Sequence, residues 1–175
     1  MNRRFSRLLS LLFVALILSI AVRTSAQTSA ASDKLQPLAF LAGSCWKGTF
    51  PGRAVTDEHC FEWIYGGRFL RDRHVVRGDS VPYEGETTYA WDATQKQIVY
   101  WYIALPGFYS HGNVEPVEGA LLFHDNLVTS TPRQLRTTWS KSGADAYTVL
   151  VEEVTNGNSK QLWSIAMRRS RPARE

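Results

Sequence analysis

From residue 44 onward the chain alternates apolar and polar positions in short runs, and no stretch holds a 3.6-residue apolar period long enough for a long helix. The runs are rich in Val, Ile, Thr, Tyr, Phe and Trp. They predict strands over 45–50, 57–66, 68–77, 83–91, 97–103, 109–115, 119–124, 126–131, 134–141, 145–154 and 160–169. Turn-forming residues separate them, as in PGRA at 51–54, GDSVP at 78–82, DATQK at 92–96 and KSGAD at 141–145. Asn156-Gly157 is the strongest hairpin signal. Ahead of the strands, LQPLAFLAG predicts one short helix, with Pro37 in its first turn, Gly43 as its stop and Ser32 or Asp33 as a cap. About ten short antiparallel strands make an all-β protein, either a closed barrel or a sandwich.

The first hairpin can be registered by arithmetic. If its turn is centred between Gly52 and Arg53, Cys45 faces Cys60, Trp46 faces His59 and Lys47 faces Glu58. The register predicts a Cys45–Cys60 disulfide beside an oppositely charged pair. Because side chains alternate along a strand, one face carries Cys45, Lys47, Thr49, Glu58, Cys60 and Glu62 and is expected outside. The other carries Trp46, Gly48, Phe50, His59, Phe61, Trp63 and Tyr65 and is expected inside. On RFLRDRHVVR, Arg71, Arg73 and Arg77 share one parity, and three unpaired guanidinium groups in a core are costly. The opposite parity, Leu70, Asp72, His74 and Val76, therefore turns inward. Tyr89, Tyr100 and Tyr102 add rings to the expected interior, and Tyr tips suit either a packed core or a pocket for an amphipathic ligand.

The 175 residues begin with MNRRFSRLLSLLFVALILSIAVRTSA, which has a basic start, an apolar stretch and small residues before a cleavage point. Residues 1–26 read as a secretory signal peptide, 27–33 as a polar linker, 34–169 as one barrel domain and 170–175 as a basic, frayed tail. The leader changes the meaning of the formal +4 charge. It holds four of the 20 Lys and Arg and no acid, so the remaining basic residues balance the 16 acidic ones. Nucleic acid is not an expected partner, nor is a membrane once the leader is removed. Export to the periplasm or beyond also favours a disulfide for the two Cys over a thiol or metal site.

Catalytic signatures are absent. There is no Gly-x-Ser-x-Gly elbow and no phosphate-binding Gly loop. Ser110 and His111 are adjacent, which sends them to opposite faces of a strand. Glu84 and Glu86 share a face expected in solvent. None of the four His forms a close-spaced metal motif, although His74 and His111 could meet across strands near Asp72 or Glu86.

The segments FLAGSCWKG (40–48), YGGRFLRD (65–72) and YAWDATQKQ (89–97) resemble a secreted bacterial group of uncharacterised domains with calycin-like barrels. The resemblance covers most of residues 35 to 130 and implies an up-and-down barrel of about ten strands that has room for an interior cavity. Relatives of such barrels include lipocalins, fatty-acid-binding proteins and haem-binding nitrobindins. The nitrobindin-like site implies a His on a late strand. QLWSIAMRR (161–169) has none, which disfavours haem unless His111 or His124 substitutes.

The expected function is non-enzymatic binding of a small apolar or amphipathic molecule, with no cofactor. Trp46, Phe61, Trp63, Tyr89, Tyr100 and Tyr102 are the expected wall, and Asp72, His74 and His111 its polar positions. Two alternatives stand beside it: an enzyme using the Asp72/His74 pair, and a packed interaction module whose surface does the work.

Overall fold

The computed structural model describes residues 32–128 and 134–172, with the backbone alone for 125–128. The leader, nearly all of the linker and the end of the basic tail lie outside the described residues. Ten strands follow a short entry helix: β1 (Ser44–Thr49), β2 (Thr56–Ile64), β3 (Phe69–Arg77), β4 (Tyr83–Asp92), β5 (Gln97–Ala104), β6 (Phe108–Val117), β7 (Ala120–Val128), β8 (Gln134–Lys141), β9 (Ala146–Thr155) and β10 (Asn158–Pro172). Each pairs antiparallel with its neighbours in the chain, and β10 returns to β1, so the sheet closes into an up-and-down barrel with no free edge. No helix among the described residues is long and apolar enough to cross a membrane.

The first hairpin has the register that the sequence predicts. Cys45 faces Cys60, Trp46 faces His59 and Lys47 faces Glu58, and the two Cys form a disulfide. The alternation on β3 also holds. Leu70 and Asp72 are buried, while Arg71 and Arg73 sit on the other face and both pair with Glu62 of β2.

Four expectations change. The predicted 119–124 and 126–131 strands are one strand, β7, continuous through His124, Asp125 and Asn126. Both neighbours pair that stretch, Gly112 with Asp125 on one side and Leu135 with Asp125 on the other, and this ladder outweighs the turn preference of its polar residues. The part of the predicted 126–131 strand beyond 128 lies outside the described residues. Tyr65 is exposed rather than interior, because β2 ends at Ile64 and Tyr65 enters a tight 3-10 turn with φ of 49°. The basic end is not frayed through residue 172: Arg168, Arg169 and Arg171 lie on β10, paired with β1. Arg169 places its guanidinium 4.4 Å over the Trp46 ring and donates from Nε to Asp145 at 2.8 Å, and Arg171 Nη2 lies 2.5 Å from Glu58. Finally, the entry helix is a single 3-10 segment, Asp33–Leu38, followed by turns to Gly43.

That entry segment seals one end of the barrel. Leu35, Leu38 and Leu41 are fully buried beneath it, and the Trp46 indole N–H donates to the Leu41 carbonyl at 3.1 Å. Trp46 packs edge-on against Phe40 and Tyr147 in the same layer. Gly48 lets β10 close over this layer: a Cβ there would stand 2.3 Å from Ile165 Cγ2 and 2.8 Å from the Ala166 carbonyl oxygen. The opposite end, reached by the β1–β2 and β3–β4 turns, is not plugged in this way.

Candidate functional site

The unplugged half of the barrel contains a cavity of about 500 Å³, within the range of small-molecule sites. Its walls are largely aromatic, with Tyr89, Tyr100, Tyr102, Phe108, Trp139 and Trp163 among them. Arg53 and Asp79, on the two turns at the mouth, form an ion pair at 2.9 Å.

One wall is polar, and the hairpin of β2 and β3 builds it. The register places His59 opposite His74, Phe61 opposite Asp72 and Asp57 opposite Val76. Alternation then turns Asp57, His59, Asp72 and His74 into the barrel together. The two imidazoles stack with centroids 4.1 Å apart and planes 16° from parallel. His59 Nδ1 lies 2.7 Å from Asp72 Oδ2, and its Nε2 lies 3.4 Å from Asp57 Oδ2. His74 Nε2 lies 2.5 Å from Asp57 Oδ1, and its Nδ1 lies 3.4 Å from the Tyr102 hydroxyl, which in turn meets the Tyr83 hydroxyl at 2.5 Å. Gly85 makes room for this arrangement, since a Cβ there would stand 2.4 Å from the Tyr102 ring.

The electrostatics follow from burial and pairing. Burial opposes charge on His59, but the carboxylates of Asp72 and Asp57 at its two nitrogens raise its pKa well above the usual imidazole range. Burial alone would raise Asp57; the two imidazoles hold it well below the usual carboxylate range instead. Tyr102 and Tyr83 are pushed up, chiefly by burial, and keep their protons as hydrogen-bond donors. Asp57 Oδ1 and His74 Nε2 meet as a close ion-pair contact. Neither of these buried atoms has a further hydrogen-bond partner among the described residues.

Of the expected wall, Tyr89, Tyr100 and Tyr102 line the cavity, as do the polar positions Asp72 and His74. Asp72 and His74 do not pair with each other: Asp72 holds His59, and His74 meets Asp57 and Tyr102. Trp46, Phe61 and Trp63 lie off the cavity, because their places along β1 and β2 put them in the half that the entry segment seals. Phe61 fills core against His59 and Trp139. His111 is exposed on the outer face, opposite Trp101, and so neither reaches His74 nor offers a cavity ligand. His124 is likewise exposed, beside Glu115, which removes both substitutes for a late-strand haem ligand. On the same outer face, Trp101, Ile103 and Tyr109 are uncovered by their own chain.

Asp57, Tyr83, Trp139 and Trp163 were not anticipated as site residues, and His59 was expected inside without a role. The register that pairs Gly48 with Asp57 already puts Asp57 on the inward parity, two residues before an inward His. Asp57, His59 and His74 are the described cavity residues whose donor atoms converge closely enough to share a metal ion.

The closed barrel has a counterpart among solved structures. The crystal structure of Rv2717c from M. tuberculosis matches with a TM-score of 0.54 at 14% identity, over 81% of this chain and 100% of that one. No protein-family profile matches the sequence. No curated protein matches it either. At this identity the likeness speaks for the ten-stranded antiparallel barrel, and the Cys45–Cys60 disulfide is consistent with an extracytoplasmic, oxidising compartment.

Proposed function

We propose that this chain is an exported, calycin-like barrel, periplasmic or secreted, that holds a small amphipathic molecule in the open half of its interior. The single observation that carries the reading is the aromatic cavity with a buried polar network confined to one wall. Such a site takes an apolar body against the rings and a polar tip against the β2–β3 wall. The leader-like first 26 residues and the disulfide support export.

The charges narrow the ligand class. With His59 charged, Asp57 and Asp72 leave no net positive charge on that wall. The only Lys or Arg among the described lining residues is Arg53, at the mouth and already paired with Asp79. A fatty-acid carboxylate would find no free buried cation there. A hydroxyl or amine tip would find carboxylate acceptors. The enzymatic alternative is weaker because Asp72 and His74 serve different partners, and a packed module leaves the cavity without a use.

The test is a titration with the neutral probe N-phenyl-1-naphthylamine, followed by competition. One equivalent should bind with enhanced fluorescence, and dodecylamine should displace it at lower concentration than dodecanoate. Native mass spectrometry of protein purified from its own host should show a retained small molecule. Absence of both probe binding and retained mass would count against the proposal, and stronger displacement by dodecanoate would overturn the ligand class.

A further inference from the structure

We infer that Asp57, His59 and His74 bind one divalent first-row transition metal ion, with zinc the best match, on the polar wall of the cavity. The inference does not rest on the organic-ligand reading, and the preference for an amine over a carboxylate belongs to the metal-free wall, so the probe competition is run on EDTA-stripped protein.

Two imidazoles and one carboxylate are a donor set suited to such ions, and three protein ligands leave a fourth zinc position open. Here all three donors come from one hairpin whose register fixes them: His59 and His74 are cross-strand partners, and Asp57 precedes His59 by two on the same inward face. Both Nε2 atoms approach the Asp57 carboxylate, at 3.4 Å and 2.5 Å, and the three donor atoms lie within 4.8 Å of one another. A tetrahedral ion with bonds of 2.0–2.1 Å holds its ligand atoms about 3.3 Å apart. The two approaches are to different oxygens of Asp57, Oδ2 for His59 and Oδ1 for His74, so the side chains must adjust to bring one oxygen to that spacing from both nitrogens.

Two further observations point the same way. The Asp57 side chain is only 6% exposed, and its Oδ1 meets His74 Nε2 at 2.5 Å, with no further hydrogen-bond partner for either atom among the described residues. A metal ion between them would take the place of that contact and coordinate both atoms. The far nitrogens of both rings are also already held, His59 Nδ1 by Asp72 at 2.7 Å and His74 Nδ1 near the Tyr102 hydroxyl at 3.4 Å. Such outer partners leave Nε2 of each ring for the ion, and the rings, stacked 16° from parallel, would tilt to aim both lone pairs at it. Binding the ion at Nε2 requires that nitrogen to be unprotonated. Because all three ligands line the open cavity, the ion has a path in from solvent. The other convergent set, Cys45, Glu58 and Cys60, offers no thiolate because its cysteines are joined.

The experiment uses the disulfide-intact, tag-free protein, stripped with EDTA and dialysed. Calorimetry with zinc chloride should show one equivalent bound with a dissociation constant in the micromolar range or below. Cobalt should give the visible absorption of a tetrahedral site. His74→Ala and Asp57→Asn should each weaken zinc by at least about tenfold, whereas His111→Ala and His124→Ala should leave it unchanged. If the site variants do not fold, the wild type still decides: long-range nitrogen–proton NMR spectra of 15N-His protein should show zinc shifting His59 and His74 and not His111 or His124. Binding of less than one equivalent, loss of binding in the His111 or His124 variants, or shifts confined to those two residues would overturn the inference.

Discussion

Asp72→Asn tests whether the polar wall is an ion-paired network or a set of neutral hydrogen bonds. Asp72 is 1% exposed, and its carboxylate sits 2.7 Å from His59 Nδ1. Asparagine has nearly the same shape and its amide oxygen still accepts from Nδ1–H, so the substitution removes charge while keeping the contact. At an effective dielectric constant near 20, two charges about 4 Å apart attract by roughly 4 kcal/mol. Breaking a buried pair by removing one partner costs about 3–5 kcal/mol, because the surviving charge is stranded. Asp57, 3.4 Å from the other His59 nitrogen, still attracts the imidazolium and moderates the loss. The expected destabilisation is therefore near the lower end, about 3 kcal/mol. For a domain of this size that lowers the melting temperature by roughly 10 °C. Thermal unfolding followed by near-ultraviolet circular dichroism gives the number, with Asp79→Asn as the control. Asp79 pairs with Arg53 in solvent at the mouth, and such pairs contribute little. If Asp72→Asn melts with the Asp79 control, His59 is not held as a buried cation and the charge reading of the wall fails.

The disulfide and the sealed end give two further outcomes. Replacing both Cys45 and Cys60 with Ala opens a loop of sequence separation 15 and should cost about 3 kcal/mol in the chain-entropy account. Chemical denaturation checks this, and an unchanged midpoint would show that the β1–β2 ladder alone holds the loop. Gly48→Val should lose at least about 1–3 kcal/mol from overpacking, since its new carbon would collide with Ile165 and the Ala166 carbonyl. Equal stability of that variant by the same measurement would mean β10 does not close over β1 as described.

The barrel was legible because its information is local and periodic. Alternation, turn residues and the Cys45–Cys60 register each constrain neighbouring strands, and nine such pairings in sequence leave little besides closure of β10 on β1. The site was legible only in part, because alternation tells inside from outside but not which end of the barrel a residue occupies. Trp46, Phe61 and Trp63 share the inward parity with His59, yet they lie in the sealed half, and nothing in their own strands records that the entry segment plugs that end. The plug is a tertiary fact, carried by Leu35, Leu38 and Leu41 and the Trp46–Leu41 hydrogen bond. Asp57 escaped for a different reason. Read alone, TDEH is a polar strand start, and its inward Asp becomes chemistry only when His74 arrives from the next strand. The same division explains how one small barrel can be both rigid and open. The rings and leucines of the sealed half stabilise the closed sheet without the polar wall. The buried polarity of Asp57, His59, Asp72 and His74 is thereby confined to the end where a ligand can reach it.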